Sequence, residues 1–250
     1  MSDMQMISSR KNAVVSHMKK LGSDRAYRYE HGEFLCDGIR LLREAVSSSC
    51  VVTAVFLSSE NAVDFDINAP IYIVSEDIFK HVSPLKTAQD VLFSCKMPQH
   101  RTLDINKRNI ILDGIQDPGN VGTVLRGAGA FGIDSVILTG ACADPYNPKT
   151  VRATMGAIFR QNIVQLDYTE LAEYVTRGLV LYGAALEKSS KDIRSVDLSG
   201  ASIAIGSEGA GLSEEALALC KQLVIIPMEP GAESLNAGVA ANIFMWMMYK

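Results

Sequence analysis

From Asn109 onward the chain alternates short apolar runs with segments of helical periodicity, and that alternation leaves few architectures open. Asn109–Leu112 (NIIL), Ser135–Leu138, Ile163–Leu166, Leu179–Ala185, Ser202–Ile205 and Leu223–Ile226 are almost continuous in apolar, often β-branched side chains. A strand of that kind is buried on both faces. The intervening segments predicted as helices, over 120–131, 150–159, 169–177 and 213–220, must therefore cover both sides of a mostly parallel sheet. Asn236–Tyr249 closes the chain as a further helix. The expected fold class is α/β.

The first 95 residues read as a smaller α/β domain. Arg10–Leu21 is predicted as an amphipathic helix with Val14, Val15, Met18 and Leu21 on its apolar side, and Gly38–Val46 as a second helix. Val51–Leu57, Ile71–Val74 and Val91–Ser94 read as strands, with a short helix over Asp77–Val82. The stretch Lys96–Lys107 (KMPQHRTLDINK) is polar, holds Pro98 and lacks a clear period. The expected organisation is a small α/β domain over 1–97, a linker over 98–107 and a second domain over 108–250.

Composition removes several function classes. No apolar stretch reaches the roughly 18 residues that span a bilayer, and the N-terminus has no apolar core followed by a cleavage site. The five cysteines are dispersed, as in a reduced cytoplasmic protein, and the four histidines show no metal-ligand spacing. A net charge of −4 gives no support to nucleic-acid binding in itself. Local patches decide contact with phosphates. One basic group lies in the first 30 residues and another at Lys149, Arg152 and Arg160; either is also explained as a solvated face.

In sheets of this kind ligands bind beyond the carboxyl ends of the strands, where the unusual residues of this chain fall. Asp113–Gly122 (DGIQDPGNVG) follows one strand, Gly206–Gly211 (GSEGAG) another, and Pro227-Met228 with Gly231 and Ser234-Leu235-Asn236 a third. The last two loops are poor in positive charge and suit a neutral or zwitterionic ligand held by backbone groups better than a pyrophosphate. Two further motifs are decoys. Gly127–Gly132 matches G-x-G-x-x-G, but late in a predicted helix rather than at the strand-to-helix turn that nicotinamide-cofactor binding requires. Ser83-Pro84-Leu85-Lys86 matches S-x-x-K without the other serine-acylase motifs.

Four segments, DGIQDPGNVGTVLRGAGAFG (113–132), PYNPKTVRATMGAIFR (145–160), IAIGSEGAGLS (203–213) and IIPMEPGAESLNAGVAANI (225–243), resemble in order and spacing the SpoU/TrmH branch of the SPOUT RNA methyltransferases. SSRKNAVVSHMKKL (8–21) followed by GEFLCDGIRLLREA (32–45) is similar to the ribosomal-protein-like substrate-binding domain of that family, with Asp37 in place of its usual glutamate. Gly238 and Asn242 stand where a small or hydroxyl residue and a glycine are usual.

The resemblance implies a parallel-sheet domain with a deep trefoil knot, a homodimer whose interface includes the last helix, and S-adenosylmethionine as cofactor. It implies cofactor contacts at Leu138, Gly206, Glu208, Ile226, Met228 and Leu235, and a catalytic set of Asn120, Arg126, Ser234 and Asn236. Lys149, Arg152 and Arg160 are the candidate RNA contacts; no metal and no membrane enter. The implied activity is methyl transfer to a ribose 2′-hydroxyl of structured RNA. The attached N-terminal domain favours ribosomal over transfer RNA, and a transfer-RNA enzyme or a non-catalytic RNA-binding protein are the alternatives. Because a guanidinium scarcely deprotonates, Arg126 is expected chiefly to orient the ribose and stabilise alkoxide charge. Proton abstraction by it would require a strongly lowered pKa. Asn120 and Asn236 also suit helix caps.

Overall fold

A computed structural model describes residues 4–48, 50–59, 62–83, 90–231 and 234–249, so Pro84–Lys86 of the S-x-x-K match lie outside the described residues. Two compact units are present. One comprises Met1–Gln99 with Asp144–Arg160, the other His100–Ala143 with Gln161–Lys250.

Among the described residues the first unit holds a five-stranded sheet. Its order is β1 (Met4–Ile7), β4 (Ile71–Val74), β3 (Val52–Leu57), β5 (Val91–Lys96) and β2 (Glu33–Asp37). Around it lie α1 (Ala13–Ser23), α2 (Arg25–His31), α3 (Ile39–Ser47) and α4 (Glu76–Val82). Helix α1 starts three residues later than its periodicity predicts, because the Asn12 side chain accepts the Val14 amide and caps it there. Its stripe of Val15, Met18 and Leu21 is fully buried in one core with Phe56, Ile78, Phe79 and Val82. Strand β2 escaped prediction because Glu33 and Asp37 bracket it; all five of its residues are nonetheless buried.

Asp144–Arg160 comes from the second half of the sequence yet belongs to the first unit. Its anchor is a buried ion pair. Arg28 donates to Asp144 Oδ2 through Nη2 at 2.5 Å and Nε at 3.1 Å, while its Nη1 donates to the Leu21 carbonyl at 2.8 Å. Such a pair is strongly destabilising to break on one side only. The helix predicted over 150–159 is shorter, α6 (Pro148–Ala153). It is interrupted at Met155 (φ 50°) and Gly156 (φ 96°) before a single 3₁₀ turn, Ala157–Phe159. The interruption has a packing cause: a Cβ on Gly156 would lie 2.8 Å from Cγ and 2.9 Å from Cβ of Glu44.

The second unit holds, among the described residues, a seven-stranded sheet whose every pairing is parallel. The order is β10 (Lys191–Asp192), β12 (Gln222–Ile225), β9 (Leu181–Ala184), β11 (Ser202–Gly206), β6 (Asn109–Asp113), β7 (Ser135–Thr139) and β8 (Asn162–Gln165). This is the doubly covered sheet that the unbroken apolar runs require. Its helices include α5 (Pro118–Ala130), α7 (Tyr168–Thr176), α8 (Glu214–Leu219) and α9 (Ala237–Tyr249). Gly127 lies well inside α5, where a Cβ would stand 2.0 Å from Asn242 Oδ1 of α9. The missing side chain at 127 thus makes room for the unusual asparagine at 242. Among the described residues no helix is long and apolar enough to cross a membrane. No group of three or more His, Cys, Asp or Glu is placed among them to hold a metal ion.

Candidate active site

Parallel register brings the carboxyl ends of four strands level: Gly206 pairs with Asp113, Ile205 with Ala184, and Ala184 with Val224. The loops leaving these ends therefore emerge on one edge of the sheet. The loop after β11 is closed by reciprocal backbone bonds, Ser207 N–H to the Gly211 carbonyl at 3.0 Å and Gly211 N–H to that of Ser207 at 2.9 Å. The turn is so tight that a Cβ on Gly206 would lie 2.0 Å from the Gly211 carbonyl carbon. Only glycine fits that position.

This loop and the chain after β9 and β12 enclose a cavity of about 530 Å³. Six residues singled out from the sequence line it: Gly206, Glu208, Ile226, Met228, Ser234 and Leu235. Two carboxylates, Glu187 and Glu208, face it, and among the described residues neither lysine nor arginine does. Sequence reasoning missed Glu187, Leu186 and Phe244. The first two carry a positional signal, since they directly follow a strand ending on the same edge.

Asn120 joins this cavity through Glu208. Helix α5 is capped by Asp117, which accepts the Asn120 backbone amide at 2.9 Å, so the Asn120 side chain is not consumed as a cap. Its Nδ2 donates to Glu208 Oε1, and its Oδ1 accepts from Asn236 Nδ2 at 2.9 Å. Asn236 also serves as a cap, its Oδ1 accepting the Val239 amide at 3.2 Å in the first turn of α9. The carboxylate at 208 can only accept, so it fixes which way the amide of Asn120 faces. That choice in turn fixes the amide of Asn236.

Other sequence candidates lie elsewhere. Leu138 is buried within β7, paired with Leu112 and Gln165, and is not part of the cavity lining. Arg126 is exposed, on a separate hollow of about 560 Å³ between α5 and α9 that it shares with Thr123, Phe131, Val239 and Trp246. Lys149, Arg152 and Arg160 are in the first unit. Lys149 is exposed, Arg152 stands 3.7 Å from Asp37, and Arg160 pairs with Glu44 at 2.8 Å.

Comparison with known proteins finds relatives along most of the chain. The profile of the SpoU rRNA Methylase family matches residues 107–246, and that of the MRM3-like substrate binding domain matches residues 12–92. The chain is 32% identical over 246 residues to the 23S rRNA (guanosine(2553)-2′-O)-methyltransferase RlmP of Bacillus subtilis, covering 97% of this chain and 98% of that protein. It is 28% identical to the human mitochondrial rRNA methyltransferase 3, covering 93% of this chain and 71% of that one. Among solved structures, the SpoU methyltransferase AviRb of Streptomyces viridochromogenes, in complex with AdoMet, superposes with a TM-score of 0.85 at 26% identity. That match covers 96% of this chain and 97% of AviRb.

Proposed function

The chain belongs to the SpoU rRNA methylase family, and from that premise we propose that it transfers a methyl group from S-adenosylmethionine to a ribose 2′-hydroxyl of ribosomal RNA. The observation that carries the reading is the glycine-walled, carboxylate-bearing cavity at the ends of β9, β11 and β12. It fits this cofactor in shape and charge. S-adenosylmethionine carries a sulfonium and an ammonium against one carboxylate, and the cavity presents two carboxylates and, among the described residues, no cationic side chain. Backbone groups of Gly206, Ile226 and Leu235 would hold its adenosine, with Glu208 and Met228 beside them. When bound, the cofactor supplies an electrophilic methyl group.

The protein's own contribution is alignment and charge. The ribose oxygen must sit about 3 Å from the methyl carbon and opposite the sulfur, an arrangement worth ~7–11 kcal/mol when fixed in advance. Asn120 and Asn236, locked in orientation by Glu208, and Ser234 at the rim are the groups that present the ribose. Arg126 has five N–H donors and no acceptor; it binds the ribose oxygen and a neighbouring phosphate and stabilises negative charge as the hydroxyl loses its proton.

Arg126 lines the α5–α9 hollow and not the cofactor cavity, and we propose that a second copy of the chain completes the site. That hollow carries large exposed apolar side chains, Val239 and Trp246, with Tyr249 further along α9. We assign them to a homodimer interface, checked by sedimentation: an active monomer contradicts it. Ribosomal RNA as substrate rests on the relatives named for that RNA, and a cytoplasmic location on the bacterial one alone. Ribose-methylation mapping of total RNA with and without the gene tests the whole reading. The expected result is loss of one or a few 2′-O-methyl positions in ribosomal RNA; loss in transfer RNA alone, or none, overturns it.

A further inference from the structure

The first unit contains a hollow of about 850 Å³ at the junction of β2 and α3 that none of the site residues above explains, Arg152 aside. Three guanidinium groups line it, Arg40, Arg43 and Arg152, against two carboxylates, Asp37 and Glu44. Glu44 is already matched by Arg160, which donates to it from outside the lining at 2.8 Å. Counting that pair and Asp64, which is bonded to Arg43, the surroundings hold an excess of one positive charge.

We propose that this hollow binds the phosphodiester backbone of the RNA substrate, a proposal that rests on the reading of the chain as an RNA methyltransferase. Arg40 and Arg43 are available at small cost. Arg40 is exposed, and Arg43 bonds Asp64 at 2.9 Å with both side chains more than 60% exposed, where ion pairs contribute little. A phosphate offers the same planar fork a better-matched partner.

The wall is built rather than incidental. Gly156 seats its loop directly on Glu44, and Arg160 ties the end of that loop to the same carboxylate. Immediately before Gly156, Met155 is held in the left-handed region, 45% exposed, and lines the hollow. A thioether ledge beside a guanidinium cluster suits a nucleotide, with a base against the ledge and phosphates on the arginines, better than a bare anion. No side chain caps α3, so its first amides add partial positive charge on the same side.

The test uses the full chain and protein-free 23S ribosomal RNA from Bacillus subtilis. Binding is followed by filter retention across a salt series for the wild type, the pair Arg40→Gln with Arg43→Gln, and the pair Arg40→Lys with Arg43→Lys. Glutamine keeps the side-chain bulk; lysine keeps the charge. The glutamine pair is expected to flatten the slope of log affinity against log salt by roughly 1.4 to 1.8, while the lysine pair restores it. Calorimetry with S-adenosylmethionine should give wild-type affinity for both pairs. An unchanged slope in the glutamine pair, with the wild type still binding and methylating this RNA, overturns the hollow but not the enzyme. Failure of the wild type to bind RNA at all overturns both.

Discussion

The two hollows are built by the same device, loops leaving strand or helix ends, and are opposite in chemistry. The cavity over β9, β11 and β12 is walled by glycine backbone and apolar side chains and carries only carboxylates among its described ionisable groups. The hollow beside α3 is lined by three arginines against two carboxylates. A small cation of fixed shape is selected by close backbone walls and negative charge, whereas a polyanion of variable path needs exposed guanidiniums that re-pair freely. The difference also explains why a net charge of −4 says so little about function. Charge of each sign is concentrated where one ligand needs it.

The sharpest way to break this comparison is Gly206→Ala. The new methyl would lie 2.0 Å from the Gly211 carbonyl carbon, a backbone atom that cannot swing aside, so the loop must open. Cofactor affinity by calorimetry is expected to fall at least ~100-fold, about 2.8 kcal/mol, while RNA binding by the first unit persists. Unchanged cofactor binding would remove the cradle from the account. Arg126→Lys comes next. Because Arg126 does not line the cavity, cofactor affinity should stay at the wild-type value while methyl transfer drops about 100-fold, the scale of losing one preorganised donor. Normal turnover in this variant would show that its planar fork has no role.

A third variant probes the link between cavity and ribose. Asn120→Asp sets a carboxylate against Glu208 in place of a donating amide. Two carboxylates in contact cannot both ionise cheaply, so one has its pKa raised. Above that pKa the pair repels and loses its hydrogen bond; below it one O–H donates and the contact re-forms. Activity relative to wild type should therefore be about tenfold down at alkaline pH and recover as pH falls. A ratio independent of pH would mean that the Asn120–Glu208 contact plays no part.

Much of this site was legible because it depends on residues whose chemistry is local. Glycines and polar side chains directly after apolar strands mark the cavity loops, and Gly206, Glu208, Ile226, Met228, Ser234 and Leu235 all line one cavity. Leu138, which only the family resemblance implied, lies in a strand beyond β6 from β11, away from the cavity lining. Strand order is set by long-range pairing, which local pattern does not encode. The path of Asp144–Arg160 was illegible for a similar reason. It reads as one more helix of the second half, and its attachment depends on long-range ion pairs, Arg28 with Asp144, Arg152 with Asp37 and Arg160 with Glu44, and on Gly156 fitting against Glu44. Arg40 and Arg43 went unremarked because arginines on an amphipathic helix ordinarily face solvent. Only the approach of Arg152 and Met155 makes a hollow of them.

The smallest effect concerns where a carboxylate is spent. Glu187 and Glu208 face the cofactor cavity, but Glu33 of the first unit is used internally. Its Oε1 accepts from Lys96 at 2.8 Å, and its Oε2 accepts from Thr53 at 2.9 Å and lies 3.2 Å from His17 Nε2. Burial pushes the Glu33 carboxyl up, yet the hydrogen bonds from Lys96, His17 and Thr53 outweigh it and hold the group below its ordinary range. A carboxyl depressed in the folded state adds stability that is complete above its unfolded pKa, about 4.3, and is lost as pH falls through the folded value. Glu33→Gln should accordingly cost about 1 kcal/mol near neutral pH, and the gap to wild type should close in acid. Chemical denaturation between pH 3 and 7 measures it. A gap that stays constant over that range would mean that the Glu33 network stabilises by packing alone.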